Sequence, residues 1–225
     1  MKVGVVIQAR MGSKRLPGKV LLPINGTPLL GHVIGRLKEL NISTQIVVAT
    51  SDHNRDDAIE IYANQQGLPV YRGSEDDVLD RYYQCAKEFH FKHIVRITAD
   101  NPFVDIEELD NLIKFHLSEN FDYTQSFETL PVGVGAEIFS FEALEKSNLF
   151  GTTQMHREHV NEFILQNKNL FAIGVLTVSY AKNYPSIRLT VDTPADYKTA
   201  VEVAKTATGT WVKTLEAIKL LTQSA

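Results

Sequence analysis

Val3-Gly-Val-Val-Ile-Gln-Ala-Arg-Met-Gly-Ser-Lys-Arg-Leu-Pro-Gly-Lys19 decides the architecture of this chain. Its first half, Val3–Ala9, is an apolar run of the kind seen in strands covered on both faces of a parallel sheet. Its second half is a glycine-containing loop with four cations, Arg10, Lys14, Arg15 and Lys19, within ten residues. In open α/β sheets ligands bind beyond the carboxyl ends of the strands, so the loop stands where a ligand belongs. Gly12 and Gly18 permit close backbone approach, and free N–H groups there can cradle phosphate oxygens. Arg forks onto two such oxygens, while Lys adds a mobile point charge. The plainer reading, a chance charge cluster on a solvated loop, is weakened by the position directly after the first strand. Neither G-x-x-x-x-G-K-[ST] nor G-x-G-x-x-G occurs, which disfavours P-loop NTPase chemistry and a dinucleotide cofactor.

Outward from this loop the chain alternates strand and helix. Thr27 has the character of an N-cap with Pro28 in the first turn, predicting a helix that buries Leu29, Leu30, Val33, Ile34 and Leu37. Ile46–Ala49 reads as the second strand and Asp57–Gln66 as a helix closed by Gly67. Val70-Tyr71 is a short strand and Asp76–Phe89 a helix, with Ser74 and Asp77 in the pattern of a capping box. His93–Ile97 is a buried strand and Ile106–Leu117 the next helix. This alternation predicts βαβ units, hence an α/β fold with a parallel sheet flanked by helices. Beyond about residue 120 the pattern changes. Tyr123–Phe127 and Glu137–Phe141 read as strands, Thr153–Gln166 as a helix and Leu170–Val178 as a longer strand. Ile187–Val191 reads as a strand ending in Asp192, and two helices follow near 194–206 and 211–221. With no linker, repeat or low-complexity stretch, residues 1–225 are expected to form one domain. An antiparallel extension around 122–180 would complete the pocket or carry a dimer contact.

The 225 residues are 44% hydrophobic and 22% charged, with a formal net charge of −4, the balance of an ordinary globular protein. That charge argues against a nucleic acid polymer as partner, although local basic loops can hold a small anion. Cys85 is the single cysteine, which excludes an intramolecular disulfide and a Cys-rich zinc site. No run of about 18 apolar residues occurs, so no membrane span is expected and the protein reads as cytoplasmic.

Two acids share a placement: Asp100 follows Ile94–Thr98 and Asp192 follows Ile187–Val191. Facing one cleft, they suit Mg²⁺, which takes one or two carboxylates together with phosphate oxygens and waters. The plainer readings are a turn residue before Asn101-Pro102 and a helix cap before Thr193-Pro194. His156 and His159 are three apart, but a third ligand is missing, so packing or substrate contact is favoured over a metal. Glu137 is either a solvent-face residue or a pocket carboxylate. Cys85, inside an amphipathic helix, reads as core.

Ile7-Gln-Ala-Arg-Met-Gly-Ser-Lys-Arg-Leu-Pro-Gly-Lys-Val-Leu21 with Gly26-Thr-Pro-Leu-Leu30 resembles the signature of the cytidylyltransferases that activate acidic sugars. CMP-sialate and 3-deoxy-manno-octulosonate cytidylyltransferases belong to that group, and the likeness is nearest to the spore coat polysaccharide biosynthesis type. It continues through Arg72-Gly-Ser-Glu75, Val95-Arg-Ile-Thr98, Asp100-Asn-Pro102, Glu137-Ile-Phe-Ser-Phe141, Arg157-Glu-His-Val160 and Leu189-Thr-Val-Asp192. The resemblance implies a Rossmann-like nucleotide-diphospho-sugar transferase (GT-A-like) fold. It implies CMP transfer from CTP to a sugar acid or sugar phosphate, with pyrophosphate released. Nucleotide contacts are implied at Ala9, Arg10, Gly12, Ser13, Arg15, Lys19, Ser74 and Thr98, and catalytic roles at Arg10, Arg15, Lys19 and Asp100. Mg²⁺ is implied on Asp100 and Asp192, acceptor contacts at Glu137, Arg157 and His159, and a homodimer as the assembly. Asn101 stands where a Cys is common and Gly135 where an Asp often precedes the Glu, two departures near the expected acceptor pocket. The rival readings are a sugar-1-phosphate nucleotidyltransferase using GTP, a GT-A glycosyltransferase and a silent nucleotide-binding protein. The glycosyltransferase would normally carry an Asp-x-Asp element, which Asp100-Asn-Pro lacks.

Overall fold

The computed structural model describes residues 2–223. In chain order these form β1 (Val3–Gln8), β2 (Pro23–Ile24), β3 (Thr27–Pro28), α1 (Leu29–Leu37), β4 (Gln45–Ser51), α2 (Asp57–Gln65), β5 (Val70–Gly73), α3 (Val78–Glu88) and β6 (His93–Thr98). The second half adds α4 (Ile106–Glu119), β7 (Tyr123–Gln125), β8 (Glu137–Ser140), α5 (Phe141–Phe150), α6 (Gln154–Glu158), α7 (Glu162–Gln166), β9 (Ile173–Val175), α8 (Pro194–Ala204) and α9 (Thr214–Gln223). Among the described residues one seven-stranded sheet runs β5-β4-β1-β6-β8-β7-β9. The four strands β5, β4, β1 and β6 are parallel, as the alternating pattern requires. In register, Gln8 lies beside both Ala49 and Thr98, so these strands deliver their carboxyl-terminal loops to one edge of the sheet.

Both faces of β1 are buried because its side chains alternate into two separate cores. Val5 and Ile7 pack with Leu30, Val33 and Ile34 of α1, Ile59 of α2 and Leu112 of α4. On the opposite face Val6 meets Leu79 and Tyr82 of α3, Leu144 of α5 and Ile164 of α7. Each fully buried Leu, Ile or Val contributes on the order of 1.5–3 kcal/mol, so the two layers fix β1 firmly beneath its loop. A third core joins Ile24, Leu29 and Phe103 to Leu189 and Val191 and to α8 and α9. It holds segment 187–192 over the carboxyl edge of the sheet.

Several local expectations are corrected. Thr27 is no N-cap: Thr27 and Pro28 pair with Ile24 and Pro23 in a tight hairpin, and α1 begins after Pro28 with no side-chain cap bond. Asn25 and Gly26 explain this, since both adopt positive φ (49° and 81°), as an Asn-Gly hairpin turn demands. The cap of α3 is Asp77, which accepts from the Asp80 N–H at 2.9 Å, while Ser74 Oγ accepts from the Asp77 N–H. The helix expected over 153–166 breaks at His159, whose backbone is extended, giving α6 and α7. Leu170–Val178 pairs only over β9, because its partner β7 is itself three residues long. The pairing is parallel, so the extension is antiparallel only around β8. Ile187–Val191 is no sheet strand. It crosses the sheet edge, with the Leu189 N–H donating to the Val132 carbonyl at 2.8 Å and the Val191 N–H to the Asp100 carbonyl at 2.9 Å.

Candidate active site

The loop after β1 is pinned at its start. The Met11 N–H donates to Asp56 Oδ1 at 2.7 Å. Asp56 is fully buried, and its second oxygen accepts from Thr50 Oγ1, the Ser51 N–H and Ser51 Oγ. The Met11 carbonyl then accepts from the N–H groups of Ser13 and Gly18, at 2.9 and 3.0 Å, which folds the loop back on itself. That closure needs Gly18 at φ 70°, a left-handed conformation that glycine adopts without strain. One helical turn over Lys19–Leu21 follows and directs Lys19 inward.

Lys19, only 7% exposed, is the centre of the arrangement. Its Nζ donates to Asp100 Oδ2 at 2.7 Å, to Asp192 Oδ1 at 2.8 Å and to the Val191 carbonyl at 2.8 Å. Asp100 Oδ1 accepts from Thr98 Oγ1 at 2.6 Å. Asp192 is also held by Arg15 Nη2 at 2.8 Å and by Arg188. Partial burial alone would raise the Asp192 carboxyl, but the bond and charge of Lys19, with Arg15 and Arg188, outweigh it and hold its pKa below the usual value. The helix cap that competed for Asp192 is supplied instead by Thr193 and Asp196, which form the capping box of α8. Arg10 and Lys14 have no ion-pair partner among the described residues.

On the other side of the loop, Gly12 lies against an ion pair between Arg55 and Glu75. A Cβ at Gly12 would stand 2.6 Å from Arg55 Nη2 and 2.8 Å from Glu75 Oε1. Ser74 is exposed beside this pair, and Ala9 is buried where β1 ends. The cleft therefore has a carboxylate side, over β6, and a second side, over β4 and β5.

The three residues assigned to an acceptor are placed differently from one another. Glu137 opens β8 opposite Arg96 and is fully buried. Its oxygens accept from Arg96 Nη1 at 2.5 Å, Tyr123 Oη at 2.5 Å and Asn161 Nδ2 at 3.0 Å, so it is no solvent-face residue. Arg157 donates to both oxygens of Asp77, to the carbonyls of Asn148 and Gly151, and to Asn148 Oδ1, tying the start of α3 to α5 and α6. His159 is exposed at the helix break. His156 is packed, with Nε2 on Gln166 Oε1 at 2.9 Å, and Cys85 is buried, its thiol pushed up to about 12 by burial.

The sequence matches the cytidylyltransferase family over residues 4–221. The chain belongs to the cytidylyltransferase family. It is similar to the spore coat polysaccharide biosynthesis protein SpsF of Bacillus subtilis, 37% identical over 86% of this chain and 82% of that protein. It is also similar to the 8-amino-3,8-dideoxy-manno-octulosonate cytidylyltransferase of Shewanella sediminis, 32% identical over 72% of this chain and 62% of that enzyme. Among solved structures, a cytidylyltransferase from Leptospira borgpetersenii covers 100% of this chain and is covered to 95%, with TM-score 0.93 and 33% identity.

Family membership makes the chain a nucleotidyltransferase, and three features of this cytidylyltransferase escaped the sequence reading. Asp56, which anchors the loop, lies in a polar run with no motif to mark it. Arg188 is four residues before Asp192, a spacing that carries meaning only on a helix. The Arg55–Glu75 bridge joins two loops twenty residues apart, and nothing in either loop announces the other. No helix of the described residues is long and apolar enough to cross a membrane.

Proposed function

We propose that the protein transfers CMP from CTP to a sugar acid, releasing pyrophosphate, with the triphosphate held by the loop after β1. One observation carries this: Lys19 joins Asp100 and Asp192 beneath a loop whose Arg10 and Lys14 have no ion-pair partner among the described residues, in a chain of the cytidylyltransferase family. The acceptor hydroxyl oxygen attacks the α-phosphorus and gives up its proton to solvent, while the bond from the α-phosphorus to the oxygen bridging it to the β-phosphate breaks and its electron pair leaves on pyrophosphate. Arg10, Lys14 and Arg15 bind the β- and γ-phosphates and neutralise charge on the leaving group. Lys19 orients the two carboxylates and adds its charge at the α-phosphate. The reaction needs no covalent enzyme intermediate, so positioning and electrostatics supply the rate.

The carboxylate pair fits Mg²⁺. Two oxygens that share a single ammonium at 2.7 and 2.8 Å are close enough to share one divalent ion. Mg²⁺ needs only one or two carboxylates, since phosphate oxygens and waters complete its shell. When bound there, the ion would supply Lewis-acid polarisation of the α-phosphate.

On the acceptor side, His159 and the helix break contact the sugar, while Glu137 and Arg157 hold that wall in place through Asn161, Arg96 and Asp77. We further infer that the reaction serves glycan precursor synthesis, in a cytoplasmic enzyme working as a homodimer. The test is pyrophosphate release from each of the four nucleoside triphosphates with Mg²⁺ and 3-deoxy-manno-octulosonate or sialate. CTP alone is expected to react, and Asp100→Asn is expected to lower the rate at least about 100-fold while the protein stays folded. Equal turnover of all four nucleotides, or an unimpaired Asp100→Asn, overturns the reading.

A further inference from the structure

Gln8 ends β1, directly before the loop, and is half-buried. It projects from the same face of the sheet as Val6, toward the layer that holds Tyr82 and Tyr123. Its amide has a defined orientation. Arg96 donates to Gln8 Oε1 through Nε at 3.4 Å and through Nη2 at 3.3 Å. A guanidinium has donors only, so the amide oxygen must face it and the NH₂ group must face away. Arg96 is itself clamped: Nη1 is held by the fully buried Glu137 at 2.5 Å, and its guanidinium lies over the Tyr82 ring. Gln8 Nε2 has no hydrogen-bond partner among the described residues.

This unpartnered donor stands between two parts of the cleft. Gln8 and Thr98 are register partners on parallel strands, so their side chains leave the same face about 5 Å apart. Thr98 Oγ1 donates to Asp100 Oδ1 at 2.6 Å. Beyond Arg96, Glu137 reaches Asn161 at the helix break, 3.0 Å away. Gln8 therefore lies where the acid-bearing side of the cleft meets the acceptor wall. Arg96 and Arg157 on that wall are already paired with Glu137 and Asp77, so an anion arriving there meets the amide instead. Donation from a cation into Oε1 polarises the amide and makes its NH₂ group a stronger donor.

We propose that Gln8 selects the acceptor, its NH₂ group, aimed and polarised by Arg96, donating to the carboxylate of the sugar acid. This rests on the reading of the protein as a CMP transferase acting on a sugar acid. In an ulosonic acid the carboxylate and the anomeric hydroxyl share one carbon. A group that holds the carboxylate therefore also sets the direction from which the hydroxyl oxygen meets the α-phosphorus. A charged acceptor strengthens the bond, so the same contact disfavours a neutral sugar in that place.

Pyrophosphate release with CTP and Mg²⁺ tests this, with 3-deoxy-manno-octulosonate and sialate as acids and their C1 amides as uncharged counterparts. Gln8→Met keeps the length and removes the donor. It is expected to lower kcat/KM for the acids at least about 10-fold, to lower that for the amides much less, and to leave the KM for CTP nearly unchanged. Equal losses for acid and amide, or a parallel rise in the KM for CTP, as a ribose or phosphate contact would give, overturn the proposal. Gln8→Glu keeps an oxygen for Arg96 but replaces the donor by an anion, so it is expected to lose the acids at least as fully. If Gln8 only braced Arg96, Gln8→Glu would retain full turnover of the acids, and that result overturns the proposal even where the amides do not react. Absence of pyrophosphate release by the unmodified protein with both acids would instead strike the sugar-acid reading itself.

Discussion

Replacing Lys19 by methionine removes an ammonium and keeps the length of the side chain. In the protein that ammonium makes three bonds and sits between two carboxylates that are 25% and 18% exposed. Breaking a buried ion pair from one side costs about 3–5 kcal/mol. Here partial solvation lowers the figure, and Asp192 keeps Arg15 and Arg188, so Asp100 alone loses its cation. A cost near 2 kcal/mol follows, and in a chain of this size that lowers Tm by about 4–8 °C. Thermal unfolding in EDTA measures it directly. Added Mg²⁺ is expected to recover most of the loss in Lys19→Met and to do little for the unmodified protein, whose ammonium already holds the same oxygens. Pyrophosphate release is expected to fall at least about 100-fold. A Tm within 1 °C of the unmodified protein in EDTA would refute the claim that Lys19 is what holds the acids together.

Glu137→Gln leaves Arg96 without its anion at the heart of the sheet, and a loss of about 3–5 kcal/mol is expected by urea unfolding. A change below 1 kcal/mol would show that Tyr123 and Asn161 alone hold that position. His116 is fully buried between His93 and Thr124, and burial, followed by the neighbouring His93, pushes its pKa down to about 3. The unfolded chain then binds a proton below about pH 6.5 that the folded one refuses, so stability falls with pH, by about 2 kcal/mol between pH 7 and 5. Urea midpoints across that range should lose this slope in His116→Gln; an identical slope would mean that the ring titrates normally. For Asp192 the folded pKa is depressed, so its contribution is complete above the unfolded value, about 3.9, and is lost as pH falls through the folded one. The stability gap between the unmodified protein and Asp192→Asn should hold from pH 8 to 5 and close below pH 4; a gap that closes between 8 and 5 contradicts the ion cluster.

The parallel half of the sheet was legible because each of its strands is buried on both faces, and a continuous apolar run has few other uses. The loop after β1 was legible for a related reason: four cations following a buried strand can point only toward the sheet edge. What stayed hidden depended on contacts between distant segments. Thr27 and Pro28 carry good helix-start chemistry, but Asn25-Gly26 closes a hairpin that takes their backbone first. Ile187–Val191 has the composition of a core strand because it is buried, yet it is covered by the third core and its backbone bonds go to Val132 and Asp100 rather than to a ladder. The pairing of Asp100 with Asp192 was anticipated from two strand ends, but the two are brought together by the Val191 to Asp100 backbone bond and by Lys19.

That last arrangement accounts for a balance that neither composition nor motif discloses. The chain as a whole carries −4, yet Arg10, Lys14, Arg15, Lys19 and Arg188 outnumber Asp100, Asp192 and Asp196 around the cleft by two charges. A nucleoside triphosphate brings roughly four negative charges, and with one divalent ion the pair carries about two. Cations without the two acids would hold the triphosphate but offer no place for the ion, and acids without Lys19 would repel each other and the ligand alike. Lys19 neutralises the two carboxylates, its side chain buried between them rather than extended toward solvent with Lys14; on the proposed function it would hold them so until nucleotide and metal arrive together.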